Sequence, residues 1–230
     1  MLYELRRYEV TPGKMPALLE RFADFTVPKW GGVGFRLVGF WTPDIGGPSN
    51  ELTYMLGWES LEERSQKFET WHAAPGRAER WAESEKDGPL VKRVHNMLLQ
   101  PTAFSQLDRG IPHGPSPEGR APYLFELRTY EAMPGKLRNI VRRFGDFTAD
   151  RFAHHGFRQV GYWTPVIGGH SHMLIYMLAW ESHEERTKKF GEFRVDPERA
   201  RVFDESEKDG QLVERVSTAL LRPAAFSPIR

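Results

Sequence analysis

One long pattern occurs twice in this chain. Residues 34–60, GFRLVGFWTPDIGGPSNELTYMLGWES, return at residues 156–182 as GFRQVGYWTPVIGGHSHMLIYMLAWES. The same register holds outside this stretch: Tyr8 matches Tyr130, Trp41 matches Trp163, Glu59 matches Glu181 and Phe104 matches Phe226, always 122 residues apart with no gap. A period this long and this regular is two copies of one fold. We divide the chain into a first repeat at 1–106, a connector at 107–122 and a second repeat at 123–230. The connector, LDRGIPHGPSPEGRAP, is dense in Pro and Gly, a composition that favours an extended, semi-rigid tether.

Within the first repeat, Leu2 to Tyr8 alternates Tyr3 and Leu5 with Leu2, Glu4, Arg6 and Tyr8, the period-2 signature of a strand. Thr11 and Pro12 then mark a helix start, and Met15, Leu18, Leu19, Phe22 and Phe25 follow at helical spacing. The repeated stretch is a hairpin, its apolar runs Phe35 to Trp41 and Leu52 to Trp58 parted by Thr42, Pro43, Gly46, Gly47 and Ser49. Ser60 with Glu63, and Ser182 with Glu185, read as capping boxes opening a second helix that Pro75 and Pro197 interrupt. A last run, Val94 to Leu99, gives a fourth strand. The order β-α-β-β-α-β is the ferredoxin-like arrangement, α+β, with both helices on one face of an antiparallel sheet. A tethered second copy is the natural cover for the other face, so the two sheets are expected to pack together as an intrachain α+β barrel.

Composition narrows the function classes. With 230 residues, 40% hydrophobic and 13% aromatic, the chain can build real cores. Lys and Arg number 32 against 31 Asp and Glu, which provides no field for nucleic acid or anionic membranes. The absence of Cys excludes disulfides, thiolate nucleophiles and Cys-based metal sites. No run is long enough to span a bilayer, and Met1 leads directly into a strand-like segment, so a cytoplasmic protein is expected. No organic cofactor is expected, and association into a homo-oligomer is.

ELRRYEVTPGK with ELRTYEAMPGK, GFWTPDIGG with GYWTPVIGG, and WESLEER with WESHEER together resemble the NIPSNAP family across nearly the whole chain. The resemblance implies the dimeric α+β barrel superfamily, whose members include cofactor-independent monooxygenases, isomerases and haem-degrading enzymes. It implies no agreed activity, since fold alone does not confer one.

Two constellations are candidates for a ligand site. Glu4, Arg6 and Tyr8 recur unchanged as Glu126, Arg128 and Tyr130. On a face expected to become the barrel interior, Arg6 and Arg128 would hold an anionic or carbonyl oxygen, with Tyr8 and Tyr130 donating a proton or hydrogen bond. The structural alternative is an ion pair that pins strand register. Trp41, Tyr54 and Trp58, with Trp163, Tyr176 and Trp180, form an aromatic set expected to face the opposite sheet, either lining a pocket for a flat ligand or filling a core. His154, His155, His170, His172 and His183 occur only in the second repeat. His170 and His172 are weak metal candidates without a third ligand at motif spacing, and this pair is expected on an exposed loop.

Three functions are compatible with this sequence. The leading one binds a small apolar or aromatic molecule between the two sheets. The second is a cofactor-independent enzyme of monooxygenase, isomerase or lyase type. The third is an interaction protein with a filled barrel.

Overall fold

The computed structural model describes residues 1–107 and 121–230. Residues 108–120, most of the expected connector, lie outside the described residues. The first repeat runs β1 (Leu2–Val10), α1 (Met15–Arg21), a π-helical turn (Phe22–Thr26), α2 (Val27–Val33), β2 (Arg36–Ile45), β3 (Glu51–Trp58), α3 (Leu61–His72), α4 (Arg77–Ser84) and β4 (Val91–Pro101). The second repeat reproduces it: β5 (Leu124–Ala132), α5 (Leu137–Arg143), a π-helical turn (Phe144–Thr148), α6 (Ala149–His154), β6 (Arg158–Ile167), β7 (Met173–Trp180), α7 (His183–Arg194), α8 (Pro197–Glu207) and β8 (Val213–Pro223).

Local chemistry explains most boundaries. The first helix starts at Met15 rather than at Thr11–Pro12: Gly13 takes φ 79°, a left-handed turn, and the Thr11 hydroxyl donates to the Pro89 carbonyl instead of capping. Both capping boxes form, the Ser60 and Ser182 hydroxyls accepting from the Glu63 and Glu185 amides at 3.1 and 3.2 Å. In the second repeat the helix break at Pro197 is a clean restart, because Asp196 caps the amides of Glu198 and Arg199.

Each repeat forms one antiparallel sheet, in the order β4-β1-β3-β2 and β8-β5-β7-β6. The sheets join at two equivalent seams, β2 with β8 from Trp41↔Pro223 to Ile45↔Leu220, and β4 with β6 from Leu98↔Ile167 to Pro101↔Trp163. The result is the expected closed barrel of eight strands. Closure covers the seam edges that an open sheet would expose.

The barrel interior holds Tyr3, Leu5, Trp41, Met55 and Leu99 from the first repeat against Phe125, Trp163, Ile175, Met177 and Leu221 from the second. The outer faces bury Tyr54, Leu56, Trp58 and Phe40 under α1–α4, and Tyr176, Leu178, Trp180 and Tyr162 under α5–α8. This corrects the faces expected from sequence. Only Trp41 and Trp163 point into the barrel; Glu4, Arg6, Tyr8, Tyr54 and Trp58, and their counterparts Glu126, Arg128, Tyr130, Tyr176 and Trp180, lie on the helix side. Strand alternation separated the two residue sets correctly, but assigned them to the wrong faces. The slim set Thr53, Met55 and Gly57 faces the narrow barrel, and the helix layer standing off the sheet takes the large rings.

Candidate functional site

Beneath the helices of each repeat sits the same buried polar network. The Glu4 carboxylate is fully buried and accepts from Arg6 Nη1 at 2.7 Å, Trp58 Nε1 at 3.0 Å, and Arg64 Nε and Nη2 at 2.8 and 2.9 Å. Arg6 Nε donates to the Tyr54 hydroxyl at 2.7 Å. In the second repeat Glu126 accepts from Arg128 at 2.7 Å, Trp180 at 2.9 Å, and Arg186 at 2.9 and 2.7 Å, and Arg128 Nε donates to Tyr176 at 2.8 Å. β1 and β5 supply Glu and Arg two residues apart on one face, and the turn after the capping box brings in Arg64 and Arg186.

Electrostatics keeps these groups charged. Burial raises the Glu4 pKa, but hydrogen bonds from Arg64 and the charges of Arg6 and Arg64 outweigh it and hold the carboxyl below its ordinary value. Burial alone would lower Arg6 and Arg128, yet the neighbouring tyrosines and the Glu raise both above the ordinary guanidinium value. Burial also pushes Tyr54 and Tyr176 well above the ordinary phenol value, so both stay neutral. With two Arg to one Glu, each network carries one surplus positive charge in a setting where attraction to an anion is poorly screened.

The two repeats differ in what surrounds this charge. Trp30, Trp71 and Trp81 in the first repeat correspond to Phe152, Phe193 and Phe203 in the second. The indoles pack closely, with ring centroids 5.9 Å apart for Trp30–Trp71 and 5.7 Å for Trp71–Trp81. In the second repeat the smaller rings border a cavity of about 100 Å³, lined by Arg128, Tyr130, Phe144, Thr148, Phe190 and Arg199 as well. It shares Tyr130, Arg199 and Phe203 with an outer cleft of about 370 Å³ reaching Arg143 and Arg215. Thr148 closes the π-helical turn, and its buried hydroxyl, like that of Thr26 in the first repeat, has no hydrogen-bond partner among the described residues; only in the second repeat does a cavity reach it. A buried unpaired hydroxyl costs about 1–3 kcal/mol, so a partner arriving with a ligand is favoured.

The ten ligand-site residues expected from sequence therefore fall in three places. Arg6, Tyr8, Tyr54 and Trp58 belong to the first helix-side network, Arg128, Tyr130, Tyr176 and Trp180 to the second, and Trp41 and Trp163 to the barrel. Only Arg128 and Tyr130 reach the 100 Å³ cavity. Thr148, Phe193, Phe203 and Arg199 were missed; aligning the repeats and reading the Trp-to-Phe exchanges would have found Phe193 and Phe203, whereas Thr148 and Arg199, identical to Thr26 and Arg77, carry no such signal.

Two histidines of the second repeat are put to structural use. His155 Nε2 lies 2.7 Å from the buried Asp196 carboxylate, which Arg151 also contacts. His183 Nε2 lies 2.8 Å from Asp44 and Arg222 lies 3.1 Å from it, an ionic link between the repeats. His155 is half-buried. The rings of His170 and His172 are 5.7 Å apart, and among the described residues no group of three His, Cys, Asp or Glu could hold a metal. No helix among them is long and apolar enough to cross a membrane.

Comparison with known proteins follows this architecture. The family model NIPSNAP matches residues 3–106 and again 125–228. A NipSnap homolog from Dictyostelium discoideum is 24% identical over 136 residues, which is 59% of this chain but only 51% of that protein. Among solved structures, a candidate monooxygenase from Fusobacterium nucleatum superposes with a TM-score of 0.64 at 11% identity, covering 97% of this chain and 92% of its own. A candidate monooxygenase from Lactobacillus acidophilus gives 0.62 at 10%, covering 97% and 94%. At such identities the structural likeness establishes the fold alone.

Proposed function

Since this chain belongs to the NIPSNAP family, we propose that its second repeat binds a small apolar or aromatic molecule bearing an anionic or carbonyl oxygen. The molecule sits between the sheet and helices of that repeat. It does not occupy the barrel centre, which Trp41, Trp163, Met55 and Met177 fill. The observation that carries this reading is the coincidence, at one cavity, of three Trp-to-Phe exchanges, the orphaned Thr148 hydroxyl and the Arg128 guanidinium. The ring of the ligand packs among Phe144, Phe190 and Phe193. Its oxygen accepts from Thr148 and faces Arg128.

Burying one ring contributes about 1.5–3 kcal/mol and a charge-assisted hydrogen bond about 1.5–3 kcal/mol. The sum corresponds to binding in roughly the millimolar to tens-of-micromolar range. Benzoate is a suitable probe, followed by NMR of the intact chain. The expected result is saturable binding that Phe193→Trp, which installs the first repeat's own residue, weakens at least tenfold. Benzoate binding unchanged in both Phe193→Trp and Arg128→Ala would refute the reading.

Catalysis on the bound molecule is a second reading. It is favoured by Tyr130, which lines both the inner cavity and the outer cleft, beside Arg128. A phenol there is placed to deliver a proton to an oxygen held by the guanidinium. The relatives with the same fold that are candidate monooxygenases suggest oxygen uptake with 1-naphthol as the assay, which Tyr130→Phe should abolish.

A further inference from the structure

The two seams of the barrel are equivalent in strand pairing but not in filling. β2 and β8 run together only as far as Ile45↔Leu220. Beyond that the β2–β3 turn stays close to β8 at one point, where a Cβ on Gly46 would come within 2.8 Å of the Thr218 carbonyl. The wall otherwise opens into a cleft of about 330 Å³, with Arg7, Glu51, Thr53, Thr129 and Ser217 around a floor of Leu127, Ala219 and Leu221. At the opposite seam Met97 and Met173 close the equivalent space: their Cε atoms lie 2.7 and 2.6 Å from where a Cβ on Gly169 would be. The matching residues at the open seam are Ala219 and Glu51, and Gly47, the partner of Gly169, meets nothing within 4 Å. One methionine has become a methyl and the other a carboxylate.

The charges of the open cleft are not spent on each other. The Arg7 side chain makes no hydrogen bond or ion pair among the described residues, and its counterpart in the second repeat is the neutral Thr129. Glu51 accepts only a 3.2 Å bond from the buried Thr53 hydroxyl. The register Arg7↔Thr53 and Glu9↔Glu51 puts Arg7 and Glu51 at diagonal positions on the barrel-side face of adjacent strands, within reach of one small molecule.

We propose that this seam is a second ligand site, for a small carboxylic acid with a hydrogen-bond donor on the adjacent carbon, an α-amino or α-hydroxy acid. The carboxylate pairs with the Arg7 guanidinium, for which bidentate geometry is best suited. The ammonium or hydroxyl donates to Glu51, the Thr129 and Ser217 hydroxyls complete the polar wall, and a short carbon skeleton lies on Leu127 and Leu221. The site is independent of the helix-side cleft and shares no lining residue with it.

The internal repeat provides conservative variants. Ala219→Met takes the residue of the filled seam, and Arg7→Thr takes the residue of the second repeat. Titration of the full chain with L-alanine, L-lactate, propionate and lactamide, followed through the Arg7 side-chain N–H signal, is the test. L-Alanine or L-lactate should saturate, with propionate at least tenfold weaker and lactamide inactive; Ala219→Met and Arg7→Thr, the latter followed through backbone amides around Thr53, should each lose the response at least tenfold. The proposal is overturned if neither acid shifts the signal, if lactamide matches lactate, or if both folded variants respond like the unaltered chain. A propionate response equal to that of lactate overturns the role of Glu51.

Discussion

The Trp41 indole lies directly over Gly39: a Cβ built on that glycine would stand 2.3 Å from the ring, and Gly161 repeats the arrangement under Trp163 at 2.5 Å. Two residues apart on one strand, in the regular pairing from Gly39↔Met55 to Trp41↔Thr53, they share the barrel side by alternation. The glycine is what admits a fully buried indole to a narrow barrel.

Gly39→Ala should therefore overpack the interior at a cost of about 1–3 kcal/mol, read as a lower urea midpoint. Ile229 is within 3.1 Å of the same position, so Ile229→Val should recover part of the loss. A fully stable Gly39→Ala chain would show that the Trp41 ring moves freely.

Glu4 neutralises Arg6 and ties down Arg64 and Trp58. Removing one partner of a buried charged set costs about 3–5 kcal/mol, so Glu4→Ala should destabilise the chain by that order. Arg64→Ala, which leaves the Glu4–Arg6 pair in place, should cost much less. Equilibrium denaturation of both variants checks the ranking.

Trp71→Phe gives the first repeat the ring that Phe193 provides in the second. It should leave a cavity beside Trp30 and Trp81 and destabilise by about 1–3 kcal/mol. Combined with Trp81→Phe it should create benzoate binding in the first repeat, detected as a second binding event.

Asp196 sets a pH dependence. Hydrogen bonding from Arg151, then from His155 and the amides of Arg199 and Glu198, outweighs burial and pulls its carboxyl well below the ordinary value. The folded pKa is lower than the unfolded value of about 3.9, so its contribution is fully present above that pH and is lost as pH falls towards the folded pKa. Urea midpoints measured from pH 6 to pH 3 should fall more steeply for the unaltered chain than for Asp196→Asn. Equal slopes would remove Asp196 from the acid response.

Either repeat alone exposes half of the barrel interior, including Trp41 and Met55 in the first. A fragment of residues 1–106 should aggregate or pair with itself through that face. A monomeric fragment of ordinary solubility, by sedimentation, would contradict the intrachain barrel as the source of stability.

What was legible in the sequence was whatever depends on local pattern. The 122-residue register, the strand and helix order, the capping boxes at Ser60 and Ser182, and the Glu-x-Arg-x-Tyr stripe are all one-dimensional facts with local causes. The NIPSNAP motifs belong to this class, as does the pairing of the two sheets, since a four-stranded sheet with helices on one face must cover the other. The helix restart at Asp196 was less visible, because its Arg151 and His155 partners are far away in the chain.

Sequence by itself determined which residues share a face and left open which side that face meets. Period-2 alternation is the same whether a strand is viewed from the barrel or from the helices, so Arg6, Tyr54 and Trp58 were assigned to the wrong side. Tertiary structure decided this through volume: the closed barrel admits Met55, Gly57 and an indole seated on Gly39, while the helix layer takes the rings and the Glu4 and Glu126 networks. The same competition for space makes Phe193 and Phe203, unremarkable in sequence, the border of a cavity that Trp71 and Trp81 fill in the first repeat.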